Sequence, residues 1–238
     1  MYSYDTRVSF SKVDAEENLT INAVIDYFQD ASTFHSEDIG LGYSYLKPRN
    51  LIWVLNTWQV DIIRMPKYLE RIKVCTIPYK FRGFLGYRNF YIENEAGEIL
   101  VKANSMWTLL DVNTIKPVKP ETEMLEGYGE AEPIDMEYIN GKIRLPEEVI
   151  EHKPVVVERH FLDPNHHMNN GQYINLAGYC IPSDLKIKRL RAEYRNQAFL
   201  GDTIYPVSGE NEPGRYTVSL NDENGKPYSV IEFTTEIN

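Results

Sequence analysis

The chain has 238 residues, of which 42% are hydrophobic and 25% are charged, and its formal net charge is −10 at pH 7. This composition predicts a folded protein with a substantial core, and the acidic balance argues against general nucleic-acid binding. The opening residues lack a basic stretch followed by an apolar run, and no apolar stretch could span a bilayer, so we expect neither a signal peptide nor a membrane-bound protein.

The first half of the chain predicts one helix followed by four strands. Apolar residues recur at helical spacing from Leu19 to Ala31, which predicts an amphipathic helix. Either Asn18 or Thr20 can cap the start of this helix, and Gly40 can end it. Strands are predicted at residues 52–64, 71–80, 87–94 and 99–110.

Residues 112–154 carry five of the thirteen prolines and many acidic residues, which predicts a linker. The linker divides the chain into two predicted domains, residues 1–111 and residues 155–238. The second domain repeats the order of the first, with a helix at residues 169–179 ahead of its strands. These strands are predicted near residues 185–197, 203–210, 214–221 and 227–237.

The two halves also show a faint tandem repeat in sequence. An offset of 149 residues places Asp14 on Asp163 and Asn18 on His167. An offset of 131 places residues 63–69 on residues 194–200, and an offset of 128 superposes two hairpin-type turns. The falling offsets predict shorter loops in the second half.

The segment D-P-N-H-H-M-N-N at residues 163–170 precedes the second predicted helix. In extended backbone, Asp163, Asn165 and His167 would point to one side. An imidazole can act as general base, and an amide or a helix N–H group can hold an oxyanion. We predict a hydrolytic site with His167 as base, Asn165 as donor and Asp163 as orienting residue, and His166 as a bystander.

Other interpretations of this segment remain open. Asp163 also suits a turn or a helix N-cap, and His167 also suits a cap or a core position. A zinc site of His160, His166 and His167 is conceivable, because imidazoles ligate zinc. Its spacing matches no standard motif, so we expect no metal and no cofactor.

Four ordered blocks of this chain resemble the acyl-ACP thioesterases of plants and bacteria, which release fatty acids from acyl carrier protein (ACP). They are N-L-I-W-V at residues 50–54, G-E-I-L with A-x-S-x-W at 97–107, D-x-N-x-H-x-N-N-x-x-Y-I at 163–174 and E-Y-R at 193–195. The resemblance runs from about Tyr4 to the end. It implies an α+β tandem (double) hotdog, in which each half is a long helix wrapped by an antiparallel β-sheet, and hydrolysis of fatty acyl-ACP.

The chain departs from the family at Gln197. The family carries a catalytic acidic residue two positions after the E-Y-R block, and Gln197 can donate or accept a hydrogen bond but cannot take a proton. Ala198 stands where plant members have a cysteine, and Cys180 is out of register to replace it. We expect His167 to serve as sole base with Gln197 orienting; a slower enzyme and an inactive one are the alternatives.

The resemblance also implies an acyl tunnel beneath the first helix and an acidic partner, ACP. The candidate tunnel-lining residues are Trp53, Leu55, Trp58, Phe84 and Trp107. Docking of ACP calls for a basic surface, and one predicted strand carries Lys186, Lys188, Arg189, Arg191 and Arg195. Ordinary core packing and a solvated outer sheet face are the competing explanations.

Two other functions stay open: an acyl-CoA thioesterase of the hotdog superfamily, and a non-catalytic acyl-thioester-binding protein. The two cysteines, Cys75 and Cys180, fit reduced thiols better than a disulfide framework, which predicts a cytoplasmic protein. A double hotdog pairs its own two halves, and the sequence leaves open a homodimer formed through the outer surfaces.

Overall fold

The computed structural model describes residues 1–236 of the chain. These residues form two compact units. The N-terminal unit comprises Met1–Thr57 and Ile62–Tyr138, and the C-terminal unit comprises Trp58–Asp61 and the chain from Ile139 onward. Residues of the predicted linker, 112–154, therefore belong to both units.

The N-terminal unit is one long helix with an antiparallel sheet. Its elements are β1 (Tyr2–Arg7), α1 (Ile21–Asp38), α2 (Tyr43–Leu46), β2 (Leu51–Ile62, of which Trp58–Asp61 belong to the C-terminal unit), β3 (Arg71–Arg82), β4 (Leu85–Asn94), β5 (Ile99–Asp111), β6 (Lys116–Pro117) and α3 (Thr122–Tyr128). The sheet runs β1-β3-β4-β5-β2, and β6 pairs with β5. The predicted helix and four predicted strands are all present, whereas β1, α2, β6 and α3 were not predicted.

Helix α1 forms where the apolar periodicity predicted it. Thr20, and not Asn18, is the N-cap, because its side chain accepts a hydrogen bond from the backbone N–H of Ala23 (3.2 Å). Gly40 follows the helix with φ +74°, the left-handed conformation that ends helices. The apolar stripe faces the sheet, where the rings of Phe28 and Phe90 lie 5.1 Å apart.

The first part of the predicted linker packs on the N-terminal unit. In α3, Met124 is fully buried. Further along, Ile134 N and the Tyr138 hydroxyl donate to Asn89 Oδ1 at 3.2 and 2.9 Å. Residues 122–138 are therefore part of this unit's fold, because their apolar side chains and backbone amides find partners there.

The C-terminal unit repeats the plan with a shorter helix. Its elements are β7 (Ile150–Glu151), β8 (Val155–Val156), α4 (Asn170–Gly178), β9 (Ile187–Tyr194), β10 (Thr203–Glu212), β11 (Arg215–Asn221) and β12 (Pro227–Thr235). Strands β9, β12, β11, β10 and β7 are antiparallel neighbours in that order, and β8 pairs with β10. The predicted end of the last strand, residue 237, lies outside the described residues. Both units confirm the α+β class.

Backbone hydrogen bonds confirm the tandem repeat and correct one offset. Leu19 N donates to Pro66 O (2.8 Å) and Met168 N donates to Ala198 O (2.9 Å). The two donors, Leu19 and Met168, are 149 residues apart, as predicted, but the two acceptors, Pro66 and Ala198, are 132 residues apart. The predicted offset of 131 was wrong, because it matched side-chain types and missed the backbone conformation.

A residue with left-handed backbone conformation in each half supports the corrected offset of 132. Leu69 has φ +64° and Gly201 has φ +89°, and these residues are also 132 apart. The offset of 128 is confirmed, since Asn94 N donates to Glu98 O (3.0 Å) as Asp222 N donates to Lys226 O (2.9 Å). In the described part of the chain, no helix is both long and apolar enough to cross a bilayer.

Candidate active site

The predicted motif forms a tight turn ahead of α4. Asp163 Oδ1 accepts hydrogen bonds from Asn165 N (2.8 Å) and His167 N (3.2 Å), and Asp163 N donates to His167 O (2.8 Å). His166 closes the turn with φ +63°. The expectation of an extended segment was therefore wrong, because the aspartate carboxylate captures the backbone N–H groups that follow it. The turn nevertheless brings Asp163, Asn165 and His167 together.

The His167 imidazole is half-buried and packs edge-on against Phe199, with ring centroids 5.0 Å apart and an interplanar angle of 83°. The backbones of the same two residues form an isolated antiparallel bridge. Within residues 1–236, neither ring nitrogen of His167 makes a hydrogen bond or contacts a carboxylate. The imidazole is thus held on one side by an aromatic ring, and its nitrogens are open to a substrate or a water molecule.

Donors for a developing negative charge lie on either side of His167. Asn165 is exposed, and its Nδ2 reaches Asp163 Oδ2 only at 3.5 Å. At the start of α4, Asn169 Oδ1 accepts from Gly171 N (2.8 Å) and Asn169 O accepts from Gln172 N (2.9 Å). Since these helix N–H groups are already bonded, the Asn165 amide is the better candidate for an oxyanion donor.

Gln197 lies next to the turn in space. The next residue, Ala198, contacts the motif directly, because its carbonyl oxygen accepts a hydrogen bond from Met168 N. The Gln197 side chain is exposed and makes no hydrogen bond to any of the described residues. The amide can therefore turn towards a bound molecule without breaking a protein contact.

Two tyrosines of the quoted sequence blocks, to which no role was assigned, fix this arrangement. Tyr173 of α4 accepts a hydrogen bond from Ala198 N (2.9 Å), and Tyr194 of β9 donates to Asn170 O (3.0 Å). Their rings meet edge to face with centroids 5.8 Å apart. Burial raises the pKa of both hydroxyls, so both stay neutral. Together they hold the start of α4 against the segment that carries Gln197.

The repeat contains a signal that would have identified these tyrosines. By the offsets of 149 and 132, Tyr173 corresponds to Val24 and Tyr194 to Ile62. Both counterparts are buried apolar residues without a hydroxyl. Hydroxyls at these positions are therefore particular to the half that carries His167, and they are not required by the fold itself.

The alternative zinc site is not assembled. Among the described residues, no group of three His, Cys, Asp or Glu side chains lies close enough to hold a metal ion. His160 packs on Phe161, with ring centroids 4.3 Å apart, and lies 3.5 Å from Glu158.

Neither cysteine offers a nucleophile. Both are free, and burial raises the pKa of the Cys180 thiol to about 11, which keeps it protonated near neutral pH. Its Sγ donates to Leu176 O (3.4 Å) in the preceding helical turn. Cys75 is buried in β3, and burial raises its pKa as well. A water molecule activated by His167 thus fits the site better than a thiolate.

The predicted basic strand does not present free charge. Every one of its five cations pairs with a carboxylate of the C-terminal unit: Lys186 and Lys188 with Glu236, Arg189 with Asp61, Arg191 with Glu232 and Arg195 with Glu193. These pairs favour an ion-paired sheet face over a free basic docking surface, because the acids on neighbouring segments neutralise the strand.

The five candidate tunnel-lining residues are distributed unevenly. Trp53 and Trp107 are half-buried and Leu55 is buried in the N-terminal unit. Phe84 is 42% exposed at the β3–β4 hairpin, and Trp58 belongs to the C-terminal unit. Phe84 is therefore the most exposed of the five, and its lining role stays a prediction.

Comparison with known proteins relates the chain to one family. Residues 1–128 match the family model for the acyl-ACP thioesterase N-terminal domain. The chain is 24% identical over 215 residues to a chloroplastic palmitoyl-acyl carrier protein thioesterase of Gossypium hirsutum, covering 83% of this chain and 52% of that protein. It is 21% identical to oleoyl-acyl carrier protein thioesterase 2 of Arabidopsis thaliana, covering 92% and 65%. The chain spans about half the length of the first curated relatives it matches.

Solved structures share the fold over nearly the whole chain. An acyl-ACP thioesterase from Bacteroides thetaiotaomicron superposes with a TM-score of 0.90 at 21% identity, covering 98% of this chain and 97% of the other. The 12:0-ACP thioesterase from Umbellularia californica superposes with a TM-score of 0.87 at 17% identity, covering 100% and 97%. These matches confirm the predicted double hotdog.

Proposed function

Because the chain belongs to the acyl-ACP thioesterase family, we propose that it is a thioester hydrolase that converts fatty acyl-ACP to free fatty acid and ACP. The observation that carries the proposal is the turn at residues 163–167. It holds the His167 imidazole beside an exposed amide, with both ring nitrogens unbonded within the described chain. A base and an oxyanion donor are what hydrolysis of an already electrophilic thioester requires.

In the proposed reaction, water attacks the thioester carbonyl carbon while His167 takes a proton from it. The Asn165 amide donates to the carbonyl oxygen as that oxygen gains negative charge. Collapse of the tetrahedral intermediate breaks the carbon–sulfur bond, and the imidazolium returns its proton to the departing thiolate. The products are a carboxylic acid and a free thiol, and the scheme uses only side chains and water.

Asp163 and Gln197 take supporting parts in this proposal. The Asp163 carboxylate is 3.2 Å from His167 N and does not contact the imidazole, so it positions the base through the backbone. The exposed amide of Gln197 can donate and accept hydrogen bonds, so it orients the attacking water. The amide cannot take a proton from that water. His167 is then the sole base.

The carrier in this proposal is ACP, and the N-terminal unit offers a surface suited to an acidic partner. Five exposed cations, which we name the sheet-end patch, make no ion pair with the described residues: Lys47, Arg49, Arg82, Lys116 and Lys119. Val112 N donates to Asn50 O (2.8 Å) and Leu109 N donates to Phe84 O (3.0 Å). These bonds bring the segments that carry the patch to the same end of the sheet.

The acidity of the whole chain makes this patch stand out. The net charge is −10. Asp111 lies beside the patch, but its carboxylate already accepts hydrogen bonds from Asn113 N and Thr114 N at 3.0 and 2.8 Å. Exposed apolar side chains accompany the cations: Phe84, Val112 and Ile115. Cations accompanied by exposed apolar side chains favour an acidic protein surface over a small acidic ligand.

The test is thiol release from matched panels of acyl-ACP and acyl-CoA of varied chain length, with His167→Ala alongside. We expect hydrolysis of acyl-ACP by the natural chain and none by the variant. Preference for CoA esters would move the protein to the acyl-CoA class. Binding of acyl thioesters without turnover would identify a non-catalytic protein.

The carrier is tested separately by charge reversal. Arg82→Glu with Lys116→Glu should raise KM for acyl-ACP and leave KM for acyl-CoA unchanged, since only the former docks a protein. Arg7→Glu is the matched control, because Arg7 is exposed and pairs in register with Arg71, at the opposite end of β3 from Arg82. Equal effects on both carriers would refute the proposal that the sheet-end patch docks ACP.

The free thiols suit the reducing cytoplasm, where we place the reaction.

A further inference from the structure

A buried arginine on the helix-facing side of the N-terminal unit has no acidic partner. Arg88 lies on β4 and is only 8% exposed, and within residues 1–236 it forms no ion pair with a carboxylate. Its Nη1 lies 3.3 Å from His35 Nδ1 and 3.4 Å from Thr76 Oγ1. An unpaired buried charge is costly, so this position calls for an explanation.

The other edge of the guanidinium is open. Nε and both hydrogens of Nη2 have no acceptor among the described residues, and neither atom is among the polar atoms that the protein seals from solvent. The accessible part of Arg88 therefore includes this edge. Burial lowers the pKa of Arg88 to about 10, which still leaves the group charged near neutral pH.

A second donor without an acceptor is the indole N–H group of Trp53, whose ring lies against the same face of β4. Gly86 precedes Arg88 by two residues, so both face the same side of the sheet. The Trp53 ring lies against Gly86, 3.3 Å from the place of a Cβ. The Trp53 Nε1 atom is buried and has no hydrogen-bond partner among the described residues. Unsatisfied buried donors are rare and costly.

One tyrosine connects the two donors. The guanidinium carbon of Arg88 lies 5.4 Å from the centre of the Tyr128 ring, and the Trp53 and Tyr128 ring centroids are 6.5 Å apart. Phe81 and Leu109 also pack around Tyr128, whose hydroxyl lies 3.0 Å from Ser36 Oγ. The open guanidinium edge of Arg88, together with the buried and unpaired N–H group of Trp53, favours an oxygen acceptor on a mainly apolar ligand.

We propose that Arg88 and Trp53 bind an oxygen atom carried on the acyl chain, so that the preferred substrates are acyl thioesters with a hydroxyl, oxo or carboxylate group on that chain. This inference rests on the proposed function, which supplies the acyl thioester. A terminal methyl group would leave both donors without an acceptor, and a site built to bond an oxygen discriminates strongly against a ligand that lacks it.

The experiment compares acyl-ACPs of equal length that end in methyl, hydroxyl or carboxylate groups, over a range of lengths. We expect the natural chain to show higher kcat/KM for an oxygen-bearing tail at one length. The ratio of kcat/KM for that tail to kcat/KM for the methyl tail should fall roughly tenfold in Arg88→Met, the scale of one hydrogen bond to a charged group. The hydroxyl and carboxylate arms distinguish a neutral acceptor from an anion.

Trp53→Phe is the second variant, because it keeps an aromatic ring and removes only the unpaired N–H group. It should lower the same ratio by a smaller factor, and it keeps the test decisive if Arg88→Met fails to fold. Preference for methyl tails at every length, or a ratio unchanged in both variants, would overturn the proposal.

Failure of hydrolysis is distinguishable from failure of this site. If no acyl-ACP is hydrolysed, the proposed function fails, and non-hydrolysable thioether analogues with the same three tails then decide the inference. Oxygen-bearing analogues should raise the melting temperature of the natural chain more than that of Arg88→Met. Equal stabilisation of both proteins by all three tails would refute the site.

Discussion

Asp14 and Asp163 occupy the same position of the same turn, 149 residues apart. Asp14 Oδ1 accepts from the backbone N–H groups two and four residues later, at 3.0 and 2.8 Å, and Asp163 Oδ1 does the same at 2.8 and 3.2 Å. Both turns also contain a residue with positive φ, Glu17 in one and His166 in the other. The turn therefore belongs to the fold, and what distinguishes the second copy is the imidazole that follows it.

Replacing Asp14 or Asp163 by alanine should lower stability by similar amounts but should affect activity differently. Asp14→Ala and Asp163→Ala each lose two backbone hydrogen bonds at a partly or fully exposed turn, so each should lower the free energy of unfolding by about 1 kcal/mol. Only Asp163→Ala should reduce kcat, because only that turn positions His167. Urea unfolding and thiol release measured on both variants give the comparison. Equal loss of activity in the two variants would contradict the positioning role.

His167→Ala should abolish hydrolysis while leaving the fold intact. The ring is half-buried against Phe199 and makes no hydrogen bond within the described chain, so its removal costs little stability. The matched control is His166→Asn, since asparagine tolerates the positive φ at this exposed neighbour. The control should keep its activity. Full activity in His167→Ala would eliminate the proposed base.

Gln197→Glu should preserve or raise kcat. Residue 197 is exposed, so a carboxylate there meets little desolvation, and it would supply the acid–base group that the family carries at this point. The measurement is the pH profile of kcat in the two proteins, and a second titrating group should appear in the variant. A large loss of kcat would mean that the Gln197 amide itself is required.

Reversing the charge of Arg189 should destabilise the protein without a selective effect on KM for acyl-ACP or for acyl-CoA. Its guanidinium donates to both carboxylate oxygens of Asp61, at 2.5 and 3.1 Å, and both side chains are mostly buried. Arg189→Glu would place two carboxylates together, so we expect a loss of about 2 kcal/mol in the free energy of unfolding. Thermal unfolding together with KM for acyl-ACP and acyl-CoA checks this. A selective rise in KM for acyl-ACP would restore the docking role first predicted for this strand.

His35 should make stability fall in mildly acidic solution. Burial, helped by Arg88 and the amino terminus and opposed by Asp38, lowers the pKa of His35 from 6.5 to about 4. Between these values the unfolded chain binds a proton that the folded protein does not, so stability is lost as pH falls from about 6.5 to 4.

The loss expected between pH 7 and 5 is on the order of 1 kcal/mol. Urea unfolding over this range measures it, and His35→Gln, which does not titrate, should flatten the curve. An equal slope in the variant would assign the loss to other groups.

Much of the fold followed from local patterns in the sequence. The period of apolar residues predicted α1, and alternating apolar runs predicted the long strands, because these signals depend only on neighbours along the chain. The two-residue strands β7 and β8 have no local signal and exist because β10 supplies their partners. Helix α3 was missed in an acidic, proline-containing segment, since the burial of Met124 is what stabilises it.

For the site, the sequence by itself determined which chemical groups are present: an aspartate, an amide and an imidazole within five residues, followed by a helix. Only the tertiary structure decided how these groups are used. The Asp163 carboxylate bonds backbone N–H groups instead of the imidazole, and Asp61, 128 residues away, neutralises Arg189. Hydrogen bonds and ion pairs act over a few ångströms, so partners distant in sequence settle what each group can do.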